Sequence, residues 1–398
     1  MMSDEPLTSY SDRSCSPNET MARIAPSLSK HGITRLARLT DLDRIGIPVW
    51  NAIAPNSRSI VINQGKGIDD IDAKVSAAME ALERAVAGNP QIEARLTSIR
   101  QLAFEGFSAD PLAGLLSAGG HEIQPDETIA WMSGYDLIAE HDVWVPREAV
   151  VLDDTRANRF WQSSDGLASG NILLEATFHG LLERIERDAE VLSQFSSKEE
   201  KGSRCIDVDS IGDPVLSGLA QRVRDAGFRL QMFDTTSDVG VPCFEAFMAP
   251  TAPSEIALRY IEVTYGAGAH PNPVRAAIRA VTEAAQSRLT YISGSRDDIH
   301  PDTFARPLPD HLHDALLLEP NNYTPPQNVM VGTLNDMLQG VIGKLKAVGV
   351  KSAIVVHLNP GENDFSVAKV LVPELENPDG RRKRRFGPRA LKRIMKSR

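Results

Sequence analysis

The stretch "KVSAAMEALER", Lys74 to Arg84, places two carboxylates and an arginine on one narrow strip. At about 3.6 residues per turn, Ser76, Glu80, Glu83 and Arg84 share one side of a helix. Ala77, Ala78, Ala81 and Leu82 fill much of the rest. The strip recurs as Glu183-x-x-Glu186-Arg187 within "EATFHGLLERIERD". A weaker copy, Glu283-x-x-Gln286, lies within "RAVTEAAQSR", with Arg288 one place later than the pattern expects. The three copies stand about 100 residues apart, the signature of internal pseudo-repeats. Four residues before each first Glu sit Ser76, His179 and Arg279; thirteen before it sit Gly67, Gly170 and His270.

Carboxylates on adjacent turns of one helix repel, and a second such helix facing the first makes the cost severe unless a cation lies between them. Glu80, Glu83, Glu183 and Glu186 offer only hard oxygens, which suit magnesium sharing its shell with water and phosphate. Arg84 and Arg187 add forked donors that match phosphate oxygens. The small-residue runs "QGKG", "GLASGN" and "YGAGAH" read as loops that open helix starts to an anion, with Lys66 adding a positive charge on the first. Together these residues predict a nucleoside triphosphate with magnesium, held between repeated helices. The plainer alternative is a set of solvated i, i+4 ion pairs, each contributing a few tenths of a kcal/mol. The apolar neighbours Leu173, Leu174, Leu181, Leu182 and Ile185 argue instead for enclosed helices. His179 reads equally as a satisfied core histidine or as a site residue. Asn171 and Glu175 fit a helix cap and first turn, and also face the end where the ligand is expected. No G-x-x-x-x-G-K followed by Ser or Thr occurs, and no G-x-G-x-x-G follows a strand and opens a helix.

The elements that position these residues are helices over about 71–86, 173–194 and 273–292. Strands are expected in "IPVWNAIA", "SRSIVIN", "TIAWMSGYDLI", "HDVWVPREAVVL", "FRLQMFDTT", "CFEAFMA", "ALRYIEVTYGAGAH", "SAIVVHLN" and "FSVAKVLVP". Pro146 marks a strand edge or end. A further helix is expected over about 334–347, after a Pro- and Asn-rich loop, "DHLHDALLLEPNNYTPPQNV". The alternation gives a mixed α/β class and one large domain. Residues 1–25 read as a disordered leader, 26–376 as the domain and 377–398 as a solvated basic tail.

Hydrophobic content of 42% and charged content of 24% are those of an ordinary globular chain, and no run of about 18 apolar residues exists to span a membrane. Cys15, Cys205 and Cys243 match neither a disulfide framework nor a zinc site, so a reducing cytoplasm is the simplest location. The net charge of −10 includes ten Lys and Arg within the last eighteen residues, so the remainder is more acidic than the total shows. An acidic body makes a poor general nucleic-acid binder; the tail alone could contact nucleic acid or an acidic partner.

"LTDLDRIGIPVWNAIAPNSRSIVINQGKG", the Ser76-x-x-x-Glu80-x-x-Glu83-Arg84 run, "GLASGNILLEATFHGLLERIERDA" and "TEAAQSRLTYISGSRDD" resemble the YcaO family, in order, over about residues 30–375. The resemblance implies ATP and Mg2+ bound through the acidic helices and activation of a peptide backbone amide. A nucleophile adds to the amide carbon, the oxygen takes the γ-phosphoryl group, and loss of phosphate yields an azoline or, with external sulfide, a thioamide. It assigns Ser76, Glu80, Glu83 and Arg84 to the ATP/Mg2+ site, with Asn171, Glu175, Glu183, Glu186 and Arg187. Lys66, His179 and Arg279 join them by position. Gln286 and Arg288 stand closer together than the family's usual Gln and Arg. The chain ends in "RFGPRALKRIMKSR", with a single Pro388, rather than in the proline-rich tail of ring-forming members. That departure is similar to the stand-alone members that act with a TfuA partner to install thioamides. The partners so implied are a peptide or protein substrate and a TfuA-like sulfur-delivery protein; a homodimer is a further expectation for the chain.

Overall fold

The computed structural model describes residues 10–156, 158–160, 162–251, 258–326, 330, 332–378 and 386–396, and no helix among them is long and apolar enough to cross a membrane. Three sheets carry the chain, and all their strand pairings are antiparallel. Arg35–Arg38, Val49–Ile53 and Ile62–Lys66 form the first. Cys205–Ile206, Phe228–Asp234, Cys243–Pro250 and Thr264–Ala269 form the second. The largest joins Arg95–Thr97, Ile129–Asp136, His141–Pro146, Ile354–His357, Ser366–Leu371 and Leu167–Gly170. Pro146 ends its strand, where a missing N–H costs the ladder nothing.

The three acidic strips lie on the helices Asp70–Gly88, Leu173–Ser193 and Pro273–Ser293, within two residues of the expected bounds. Each follows the terminal strand of a different sheet: Ile62–Lys66, Leu167–Gly170 and Thr264–Ala269. Each also buries its small apolar face in a separate core cluster, through Ala77, Ala78 and Leu82, through Ala176, Leu181 and Ile185, and through Ala277, Ala280 and Ala284.

The glycine runs are not anion-cradling loops, which corrects the expectation: most of their residues are strand. A Cβ on Gly65 would run into the backbone of Ala77, and one on Gly266 or Gly268 into that of Ala284 or Ala276. At these positions glycine is required because strand and helix pack backbone to backbone.

The helix of each unit meets the strand of the next. Ser169 Oγ donates to Met79 O (3.3 Å) and to Glu83 (3.2 Å), joining the second strand to the first helix. The Ala269 N–H donates to Glu186 (3.0 Å), joining the third strand to the second helix. Lys66 pairs with Glu283, joining the first strand to the third helix. The three units therefore close a ring, with motif carboxylates at every joint.

Two further expectations need correction. Residues 1–9 of the leader lie outside the described residues, but Pro17–Lys30 is a helix whose capping box joins Ser16 to Glu19. The chain before it, from Tyr10, runs into the site. The basic end is not simply solvated either, because Pro388–Lys396 is a helix docked on the second motif helix. Glu376 accepts from Gly387 N and Ala390 N at its start (2.8 Å each), and Arg389 grips buried Asp188 with two 2.8 Å bonds. Residues 379–385 and 397–398 lie outside the described residues. Within the expected loop after 310, Asp310–Leu316 is helical, while the helix Leu334–Ala347 has the expected bounds.

Candidate active site

Glu83 on the first helix lies close enough to Glu183 on the second for the two carboxylates to interact, and Glu80, Arg84, Glu186 and Arg187 belong to the same two strips. Burial, then Glu80 and Glu183, push the Glu83 carboxyl well above its ordinary range. Burial lifts Glu183 to about 7 against the pull of Arg187, with Asp165 and Glu186 adding to the rise. Glu186 is raised by burial against Arg187, with Glu283 adding to the rise. Burial acts on Glu283 as well, but Lys66 and Arg187 outweigh it and hold that carboxyl low. Arg84 lies 3.4 Å from Glu80 and donates to Ser164 Oγ (3.1 Å). Arg187 reaches Glu190 (3.0 Å), Asp165 (3.3 Å), Glu186 (3.5 Å), Glu183 (3.9 Å) and Glu283 (4.0 Å).

His179 accepts from Arg279 at Nδ1 (3.2 Å), while its Nε2 is buried with no hydrogen-bond partner among the described residues. Burial, then Arg13 and Arg279, hold the imidazole neutral. Ser76, half-buried, lies one turn before Glu80 on the same helix, and Gln286 is half-buried one turn after Glu283. Arg288 does not join them. It pairs with buried Asp43 (3.1 Å) and stacks on Phe228, because five residues past Glu283 turn the helix about 140° away from the strip. Asn171 and Glu175 are likewise engaged within the protein. Glu175 accepts from Ser14 N and Oγ (2.6 Å each), Asn171 N (2.8 Å) and Arg13 (3.3 Å), and Asn171 Oδ1 accepts from Thr20 (2.9 Å). They anchor the segment before Pro17.

That segment supplies residues the sequence reading passed over. Asp12, beside Arg275, is buried and bonded to His270 Nε2 (2.9 Å), whose Nδ1 accepts from Asn272 N. Lys369, buried in an otherwise apolar strand, donates to the Ser163 and Asp165 carbonyls (2.9 and 2.8 Å) close to Glu183 and Glu83. Arg296, half-buried, lies near Glu80. A lysine within "FSVAKVLVP" and the Ser16/Glu19 capping signature were the legible signals.

Among the described residues, no three His, Cys, Asp or Glu side chains meet closely enough to hold an ion unaided. The donor set still fits Mg2+ that completes its shell with water and phosphate oxygens. Glu186 is buried and Glu83 and Glu183 half-buried, all three carry hard oxygens, and their raised pKa values register a shortage of positive charge. Arg84, Arg187 and Lys66 are the forks and the point charge that phosphates require.

The family model of YcaO cyclodehydratases, described as ATP- and Mg2+-binding, matches residues 64–376. The chain belongs to the YcaO family. A protein of the tfuA 3' region of Rhizobium leguminosarum bv. trifolii is 39% identical over 383 residues, 93% of this chain and 90% of the relative. Another, from Methanothermobacter thermautotrophicus, is 32% identical over 379 residues, 90% of this chain and 94% of the relative. YcaO from Methanopyrus kandleri, solved with AMPPCP and Mg2+, superposes with a TM-score of 0.70 at 25% identity over 92% of each chain. A heterocyclase solved with substrate and cofactor shares the fold, with a TM-score of 0.71 at 22% identity over 94% of this chain and 55% of its own. ATP and Mg2+ are the ligands of this YcaO domain.

Proposed function

We propose that the chain replaces a peptide backbone amide oxygen by sulfur, in the cytoplasm and with a TfuA-like partner. The observation that carries this reading beyond the family is the 39% relative from the tfuA 3' region. ATP supplies the γ-phosphoryl group that leaves with the amide oxygen, so amide, hydrosulfide and ATP give thioamide, ADP and phosphate. Glu80, Glu83, Glu183 and Glu186 hold Mg2+, while Arg84, Arg187 and Lys66 bind phosphate oxygens and stabilise the charge that develops on them. His179, kept neutral, has a buried and unpartnered Nε2 that would donate to a bound ligand.

Two of the chain's three thiols, Cys205 and Cys243, are poor sulfur carriers, which favours an external source. Burial raises Cys205 to about 11 and Cys243 well above its ordinary value, so neither is a thiolate at neutral pH. The test is to incubate the protein with ATP, sulfide, the TfuA-like partner and candidate peptides, then weigh the product. A gain of about 16 Da supports thioamidation; a loss of about 18 Da assigns azoline formation instead.

A further inference from the structure

A cavity of about 1240 Å3 is joined to the acid cluster through Glu190 on its wall, which pairs with Arg187. One arm of that guanidinium reaches Glu190 on the cavity wall, and the other reaches Glu183, Glu186 and Glu283. The cavity floor is one face of the four-stranded sheet. Strand register sets Phe233 beside Glu245, and Phe247 beside Tyr265. The Tyr265 hydroxyl is buried without a hydrogen-bond partner among the described residues. An unsatisfied buried hydroxyl is uncommon and calls for a ligand. Beside it Glu245, which accepts from Ser193 Oγ (2.9 Å), is raised to about 8 by burial and then by Glu190, so at neutral pH it can donate as well as accept.

The wall above this floor is cationic although the chain is acidic overall. Lys201 comes from the helix Lys198–Arg204, and Lys392 and Lys396 from the C-terminal helix; none forms an ion pair within 4.0 Å among the described residues, although Lys201 lies near Glu245. Of the four acids that line the cavity, Glu190 is held by Arg187 and Asp238 by Arg389, while Glu245 interacts with Lys201, so the basic side chains Lys201, Arg204, Arg306, Arg389, Lys392, Arg393 and Lys396 outnumber Glu190, Asp234, Asp238 and Glu245. An aromatic floor with a few donors and acceptors suits an extended backbone, and unpaired lysines on the wall suit carboxylates.

We propose that this cavity receives the peptide to be modified, and that Lys201, Lys392 and Lys396 select a segment with acidic side chains beside the target amide. The inference rests on the proposed amide chemistry, and it explains the basic C-terminal run, whose helix forms one wall of the peptide site. Tyr265 and Glu245 hold the backbone so that the amide meets the phosphoryl site across Arg187.

Fluorescence anisotropy with fluorescein-labelled glycine peptides of equal length, glutamate-rich or lysine-rich, tests it on the full chain in the presence of Mg2+ and AMPPCP. The glutamate-rich probe is expected to bind about tenfold tighter, by a margin that shrinks as salt rises. The exposed double substitution Lys392→Glu/Lys396→Glu is expected to reverse the preference, and Tyr265→Phe to weaken both probes alike. Equal binding of the two probes, or a preference that survives the charge reversal, overturns the proposal. So does a fluorescein-labelled single-stranded RNA that outcompetes the acidic peptide through the same lysines. Nucleotide binding measured in parallel separates the two readings: failure to bind Mg2+ and AMPPCP defeats the proposed function, whereas normal nucleotide binding without acidic preference defeats only this inference.

Discussion

Five carboxylates lie within 4.0 Å of the Arg187 guanidinium, and their protons and charges govern what the site can hold. Glu80→Gln and Glu183→Gln keep the shape of each side chain and remove a hard ligand. Each is expected to lower ATP-dependent phosphate release by about a hundredfold or more while leaving the fold intact, measured by phosphate assay beside a thermal melt. Arg288→Ala should act the other way round. It strands buried Asp43, so it is expected to cost about 2 kcal/mol or more in denaturant unfolding, with kcat/KM for ATP within about twofold of wild type. Glu245 gives a pH signature. Its folded pKa of about 8 exceeds the ordinary 4.5, so the wild type loses stability as pH rises from about 4.5 to 8. Glu245→Gln should therefore gain in melting temperature relative to wild type across that window, and by a constant margin above it.

At the scale of elements, the motif helices were readable because alanine and leucine recur at helical spacing while the carboxylates keep to one strip. Glycine was misread for a physical reason. The same residue serves an anion-binding turn and a close strand–helix contact, and a sequence does not say which backbone will approach. Gly266→Ala separates the two uses: its Cβ would collide with the Ala284 and Ala280 backbone, so a loss of about 2–3 kcal/mol is expected on urea unfolding. Were the run an anion-binding turn, the change would weaken nucleotide binding and spare stability. Helix-forming stretches with polar composition, such as Pro17–Lys30 and Pro388–Lys396, escaped notice because their order depends on docking as well as on internal pattern.

At the scale of the whole molecule, the ring of three units and its two terminal segments act together. The segment from Tyr10 to Ser16 presses Asp12 against His270 and Arg275, while the C-terminal helix ties Arg389 to Asp188, next to Arg187. Asp188 is fully buried, so Arg389→Ala removes the guanidinium bonded to it and leaves only the more distant charge of Arg184 to balance it. A loss of about 3–5 kcal/mol is expected, read by chemical denaturation. The length of the motif helices and the family were legible beforehand. The involvement of Asp12 and Lys369 and the departure of Arg288 were not, because each depends on partners over a hundred residues away in the chain.

The sequence by itself determined which residue types recur on which helical strips, because periodicity and side-chain chemistry are local properties. Only the tertiary structure decided that the strips face one another in a closed ring and that the basic end walls a cavity beside it. Both depend on which distant surfaces come to rest in contact, and no local pattern encodes that.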